Sequence, residues 1–155
     1  MSYSPLLAPI VALVAWTLIV MLWMAATRFA AFKQMGINLG NIPPGSRGAN
    51  LHGKAPDWAQ WKSHNYIHLM EQPTIFYAIV IVLALMGMDQ PINQYLAWGY
   101  VVFRILHSLI QCTSNIVKYR FPLFLLASLC IGLSSVAVEV LVPFAAHKAP
   151  DAMPG

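Results

Sequence analysis

Four long apolar stretches alternate with short polar ones along this chain, and the polar residues that intrude on the apolar stretches carry its chemistry. From Leu6 to Phe32 the sequence is apolar almost throughout, with Arg28 as its only charge. At about 1.5 Å per residue such a run crosses a hydrocarbon core of about 30 Å. A second apolar run, Thr74 to Met86, follows the polar stretch His64 to Pro73. Together they predict a helix over about 58–88 with Asp57 as its cap, and with Pro73 as an internal kink because apolar character resumes beyond it. Gly87 to Pro91 reads as a turn, and a third helix is expected over 92–116. Lys118-Tyr119-Arg120-Phe121-Pro122 breaks the chain again before a fourth helix over 123–144, apolar except for Ser128, Ser134, Ser135 and Glu139. Glu139 is expected to snorkel or to pair between helices, and Gly132, Ser134 and Ser135 suit close helix packing. The pattern predicts an all-α integral membrane protein, a four-transmembrane-helix bundle forming one domain over 1–146, with a loose polar tail over 147–155.

Between the first two helices the character changes. Gly, Pro and Asn accumulate from Gly36 to Gly45 and recur at Gly48, Gly53 and Pro56, as expected of a loop outside the hydrocarbon. Gly48 to Ala55 has the spacing of a phosphate-binding loop, but Ala55 stands where the magnesium-binding Ser or Thr belongs and no strand precedes it. That reading is rejected.

Composition agrees with the pattern: 59% of the 155 residues are hydrophobic and 9% charged, against roughly 25% charged in an average soluble domain. The net charge of +4 does not indicate nucleic acid, because the nine Lys and Arg form no dense cluster. They bear instead on topology. Arg28, Lys33, Arg47, Lys54 and Lys62 belong to the first loop and its edges, Lys118 and Arg120 to the third, and none to the second. The positive-inside rule therefore puts loops one and three in the cytoplasm and both termini outside, as expected of a bacterial inner-membrane protein. The first run lacks a basic leader and is longer than a signal peptide's apolar core, so it reads as a retained anchor. Cys112 and Cys130 lie in apolar surroundings without paired spacing and read as small core residues.

Within this frame the polar residues form two stripes. His64, His68 and Glu71 are spaced i, i+4, i+7 on the second helix, with Asn65 beside them; Arg104, His107, Gln111 and Asn115 share a face of the third. The helices are antiparallel, so the stripes can meet. A lone Arg or Glu in the bilayer costs about 2.5 kcal/mol or more, which predicts an ion pair between Glu71 and Arg104. Such a pair alone could serve only to fix helix register. With Arg120, the set makes a cationic half-pocket suited to an anionic or zwitterionic ligand beside a lipid-soluble one.

Three features carry a resemblance: the four-helix layout, the His-, Asn- and Glu-rich start of the second helix with Pro73 shortly after Glu71, and Arg104-Ile105-Leu106-His107. The chain resembles the MAPEG family, membrane-associated proteins in eicosanoid and glutathione metabolism. The resemblance implies a homotrimer that binds glutathione between subunits and takes a hydrophobic small-molecule electrophile from the lipid bilayer. The implied chemistry is thiol addition or reduction of a lipid peroxide, without a metal. Arg104 and Arg120 are then the implied catalytic partners of the thiolate or carboxylate, and Glu71 receives the α-amino group. His64, Asn65, His68, His107 and Gln111 complete the implied ligand-binding set.

This chain departs from the family pattern at three positions. Aligning Glu71 with the family glutamate puts His64 and His68 where glutathione-using members carry Arg and Asn, and Gln111 replaces a Tyr one turn beyond the helix-three His. Arg120 and Lys62 are the candidate compensations, and Asn65 offers an amide one position away. Two other readings of the same residues stay open. His64 and His68 at i, i+4, with His107, could ligate a metal or haem, or the fold could serve as a non-catalytic membrane subunit or lipid-binding scaffold.

Overall fold

In a computed structural model, residues 3–51 and 53–147 are described, without the side chains of Ala49 and 139–147. Expectations about Glu139 and about the tail beyond His147 thus lie outside the described residues. The described chain forms α1 (Leu7–Gln34), α2 (Asp57–Leu85), α3 (Pro91–Thr113) and α4 (Val117–His147), with two short 3-10 turns, Leu39–Asn41 and Gly48–Leu51, in the connection between α1 and α2.

Local chemistry sets these ends. Pro56 precedes α2, so Asp57 is its first residue and makes no capping hydrogen bond; its carboxylate still lies in the first turn, where it complements the helix dipole. α2 runs through Pro73 and stops earlier than expected, because Gly87 takes φ +66 and the Gly87 and Met88 amides bond back to the Ala84 and Leu83 carbonyls. The reversal between α3 and α4 falls at Ser114-Asn115-Ile116 and not at Lys118 to Pro122. Asn115 has φ 54, the left-handed conformation that Asn tolerates better than most residues. Lys118 to Pro122 accordingly begins α4 instead of breaking the chain.

Three helices, Leu7–Gln34, Asp57–Leu85 and Val117–Val138, are long and apolar enough to cross a membrane. α3 has the length, at 23 residues, but is less apolar because its inner face is polar. Its buried positions Asn93, Ala97, Tyr100, Val101, Arg104, His107, Ser108, Gln111 and Cys112 advance by helical steps along one stripe. α1 turns Leu6, Pro9, Leu13, Thr17 and Val20 inward by the same rule, while Val11, Leu18 and Leu22 stay exposed. An outer surface of this kind is what lipid or neighbouring helices cover.

α3 packs most extensively on α4 and α1 on α2, while α2 also meets α3 and α4, and α1 meets α3. Among the described residues α1 and α4 make no contact, so the bundle is open along that side. At Gly99 a side chain would bring a Cβ within 3.3 Å of Cys130 Sγ, which is why α3 and α4 lie so close there. Both cysteines are free thiols. Of the three small residues expected to pack helices, only Ser134 is buried; Ser135 is half-buried, and Gly132 is exposed, where an added Cβ would meet no neighbouring element within 4 Å.

A polar hub joins three helices. Ser108 Oγ on α3 accepts from Trp16 Nε1 on α1 at 3.0 Å and from Asn65 Nδ2 on α2. Gln72 Nε2 donates to Ser128 Oγ at 2.7 Å and ties α2 to α4. Ser108→Ala strands two donors at once, buried Asn65 and half-buried Trp16. The expected result is a loss of about 1–3 kcal/mol in a denaturation measured in detergent, with Ser108→Thr milder because it keeps the acceptor.

Candidate functional site

The core-facing line of α2 is Lys62, Asn65, Leu69, Phe76, Val80 and Leu83. That line determines where the expected His64, His68 and Glu71 stripe must point. At 100° per residue, Glu71 lies about 200° round from buried Leu69, and it is exposed. His64 and His68, half-buried, occupy the edge of the core-facing line, and Asn65 rather than either histidine points inward.

The expected ion pair between Glu71 and Arg104 does not form within the chain. Arg104 is fully buried, and its Nη2 donates to the backbone carbonyl of His68 at 2.7 Å. Its Nε and Nη1 have no hydrogen-bond partner, and Glu71 acts on it only through space. Pro73 has no N–H to offer the Leu69 carbonyl, so the helix ladder is interrupted one residue beyond the carbonyl that accepts from Arg104.

In front of Arg104 the two histidines pair. The His68 and His107 rings stack with centroids 5.9 Å apart and 17° between planes, and Phe124 meets them edge-on or tilted at 6.3 and 6.2 Å. Two clefts open around this pair. One, of about 390 Å³, is polar and lined by His64, Ile67, His68, Gln111, Asn115 and Arg120. The other, of about 210 Å³, is mainly apolar and lined by His68, His107, Val117, Arg120, Phe121 and Phe124. His68 and Arg120 belong to both, so the clefts adjoin.

Arg120 is held at this junction by the α3 to α4 turn. Its Nη1 donates to Asn115 Oδ1 at 2.7 Å, so the residue that reverses the chain also aims the guanidinium. Buried Gln111 Oε1 and His107 Nδ1 are unpartnered, which leaves an acceptor and a ring nitrogen for a ligand or water.

Of the residues expected from sequence, His64, His68, His107, Gln111 and Arg120 gather at the two clefts. Arg104 and Asn65 lie behind them in the core and line neither cleft, and Glu71 faces outward. Lys62 is buried with its Nζ 5.3 Å from the centre of the Trp23 ring, away from both clefts. Among the described residues, no group of three His, Cys, Asp or Glu side chains is arranged to hold a metal ion. Two features escaped the sequence reading although their spacing held a signal. Val117, Arg120, Phe121 and Phe124 follow i, i+3, i+4, i+7 and form the α4 wall, and Ser108 lies one turn from Arg104 on the same stripe.

Helices of membrane length around a polar cleft abutting an apolar one define a helical membrane protein. The MAPEG family model matches residues 6–138, and the chain belongs to that family, associated with glutathione and eicosanoid metabolism. No curated protein and no solved structure matches it.

Asn115→Gly keeps the left-handed turn and deletes the hydrogen bond to Arg120. The expected outcome is stability within about 1 kcal/mol of wild type with a less ordered Arg120, whereas Asn115→Val strains the turn by about 1–3 kcal/mol. Thermal unfolding of both variants in detergent separates the turn's role from that of the side chain.

Proposed function

We propose that this protein binds glutathione or a similar thiol in the polar cleft and adds it to a hydrophobic electrophile in the apolar cleft, or uses it to reduce a lipid peroxide. The observation that carries this reading is the junction at His68 and Arg120, where a polar and an apolar cleft share two side chains. A thiol in one and an electrophile in the other would meet beside a guanidinium.

In the addition, the thiolate sulfur forms a bond to the electrophilic carbon, and the displaced electron pair leaves with the leaving group or moves onto the adjacent conjugated atom, which then takes a proton. In the reduction, the sulfur attacks the distal peroxide oxygen to give an alcohol and a sulfenic acid. A second thiol then releases water and leaves a disulfide. Both reactions need a thiolate, and a nearby cation favours that form. Arg120 is the residue we assign to contact the thiolate or a ligand carboxylate. Arg104 acts from behind, through the field of its buried charge and by fixing the His68 backbone. His64, His68, His107 and Gln111 then complete the ligand contacts, in place of the Arg, Asn and Tyr of glutathione-using members.

Glu71 and Asn65 do not line either cleft, so a role for Glu71 in receiving an α-amino group requires a second subunit. The proposal therefore includes the homotrimer, with Glu71 presented to a neighbour, α3 as a fourth membrane span, and loops one and three on the cytoplasmic face of a bacterial inner membrane. The non-catalytic scaffold of the same fold is the competing reading, favoured by the histidines at positions 64 and 68.

Calorimetric titration of glutathione into the purified protein separates the two. Wild type is expected to bind, Arg120→Ala to bind at least about tenfold more weakly, a loss of about 1.4 kcal/mol, and Glu71→Ala to lose affinity as well. Turnover of a chromogenic aryl halide is expected to fall about 100-fold in Arg120→Ala. No binding by wild type leaves the scaffold reading in place. Reporter fusions within loop one and within the α2 to α3 turn should report opposite sides of the membrane.

A further inference from the structure

Loop one, between α1 and α2, closes over a cation that the clefts described above do not use. Arg28, near the end of α1, donates from Nη2 to Ser63 Oγ at 2.7 Å. Its guanidinium also packs against the Gly48–Leu51 turn: a Cβ on Gly48 would stand 3.0 Å from Nη1 and 3.1 Å from Nη2. The absence of a side chain at Gly48 is what lets the loop settle on Arg28.

Beside this contact lies a cleft of about 310 Å³. Phe32, Ile37, Ile42 and Leu51 give it hydrocarbon walls, while Arg28 and Arg47 supply its charge. Arg47 is exposed, and among the described residues its guanidinium makes no hydrogen bond or ion pair. The whole segment 33–56 contains Lys33, Arg47 and Lys54 but no Asp or Glu, so the loop supplies no counter-charge of its own.

The position of the cleft limits what would fill it. It sits at one end of two helices long and apolar enough to span a membrane, the level at which lipid headgroups lie. A small soluble anion would satisfy the arginines and leave the four apolar walls wet, and a neutral lipid would cover the walls without answering two unbalanced cations. A molecule with a negative head and a hydrocarbon body does both.

We propose that the cleft under loop one is a binding site for an anionic phospholipid. Its phosphate and headgroup lie between Arg28 and Arg47, and the first part of its acyl chains lies against Phe32, Ile37, Ile42 and Leu51. Ser63 occupies one N–H of Arg28 and holds the guanidinium in place, leaving the others for the phosphate. The site uses no residue of the two clefts at His68 and stands or falls independently of the thiol reading.

Native mass spectrometry of the detergent-purified protein tests it, with phosphatidylglycerol, phosphatidylcholine and glycerol phosphate titrated separately. Phosphatidylglycerol is expected to bind at least about fivefold more tightly than phosphatidylcholine, and Arg47→Ala to remove roughly a fivefold share of that affinity, the worth of one surface cation at an anionic membrane. Arg28→Gln, which retains a donor for Ser63, should weaken it at least as much. Lys54→Ala removes the same charge from the loop without touching the cleft, and should leave the preference intact. Equal binding of the two lipids, no effect of Arg47→Ala, or an equal loss in Lys54→Ala overturns the proposal. Glycerol phosphate binding as tightly as phosphatidylglycerol would identify a free-anion site and overturn the lipid assignment.

Discussion

A guanidinium enclosed in an apolar bundle is the constraint to which the rest of this structure is fitted. Arg104 has no exposed surface, yet makes one protein hydrogen bond, which it donates to the His68 carbonyl. Removing such a cation from water is costly unless acceptors surround it. The polar inner stripe of α3 brings Tyr100, His107 and Ser108 to the same face as Arg104, and Pro73 interrupts the helix ladder one residue beyond the carbonyl that accepts from it. The stacked histidines and the Arg120 junction are built outward from this buried charge.

The helical class, the number of helices and most of the residues at the clefts were legible in the sequence, because hydrophobic run length and helical spacing survive into the fold with little change. What failed was azimuth. The stripe of His64, His68 and Glu71 was a true face of α2, but periodicity names faces without saying which of them meets the core. The more apolar line through Leu69, Phe76, Val80 and Leu83 won that position and carried Lys62 and Asn65 in with it. A one-step rotation of that kind turns Glu71 from the partner of Arg104 into an outward-facing carboxylate.

The turn before α4 was misplaced for a different reason. Pro122 and the charges around it are strong break signals, yet the chain reverses at Asn115, whose left-handed backbone leaves no mark in a hydrophobicity pattern. The misplacement concealed the α4 wall: once α4 begins at Val117, Arg120 shares a face with Val117, Phe121 and Phe124 and ceases to be a loop residue. Family membership gives the class of the protein, and His64 and His68 stand at the polar cleft of this chain.

The open side of the bundle has a consequence for how the chain is assembled. α1 packs chiefly on α2 and α3 on α4, and among the described residues α1 does not pack on α4, so the helices are arranged as two hairpins. Each hairpin is made of contacts close in sequence and can form locally as it enters the bilayer. The polar groups of the second hairpin are different: Arg104 finds His68, and Ser108 finds Trp16 and Asn65, only on the first. Between two hairpins already surrounded by lipid, hydrophobicity offers no preference for meeting. Docking is instead driven by unsatisfied polar atoms, so the residues that look most out of place in the membrane are the ones that bring the two halves together.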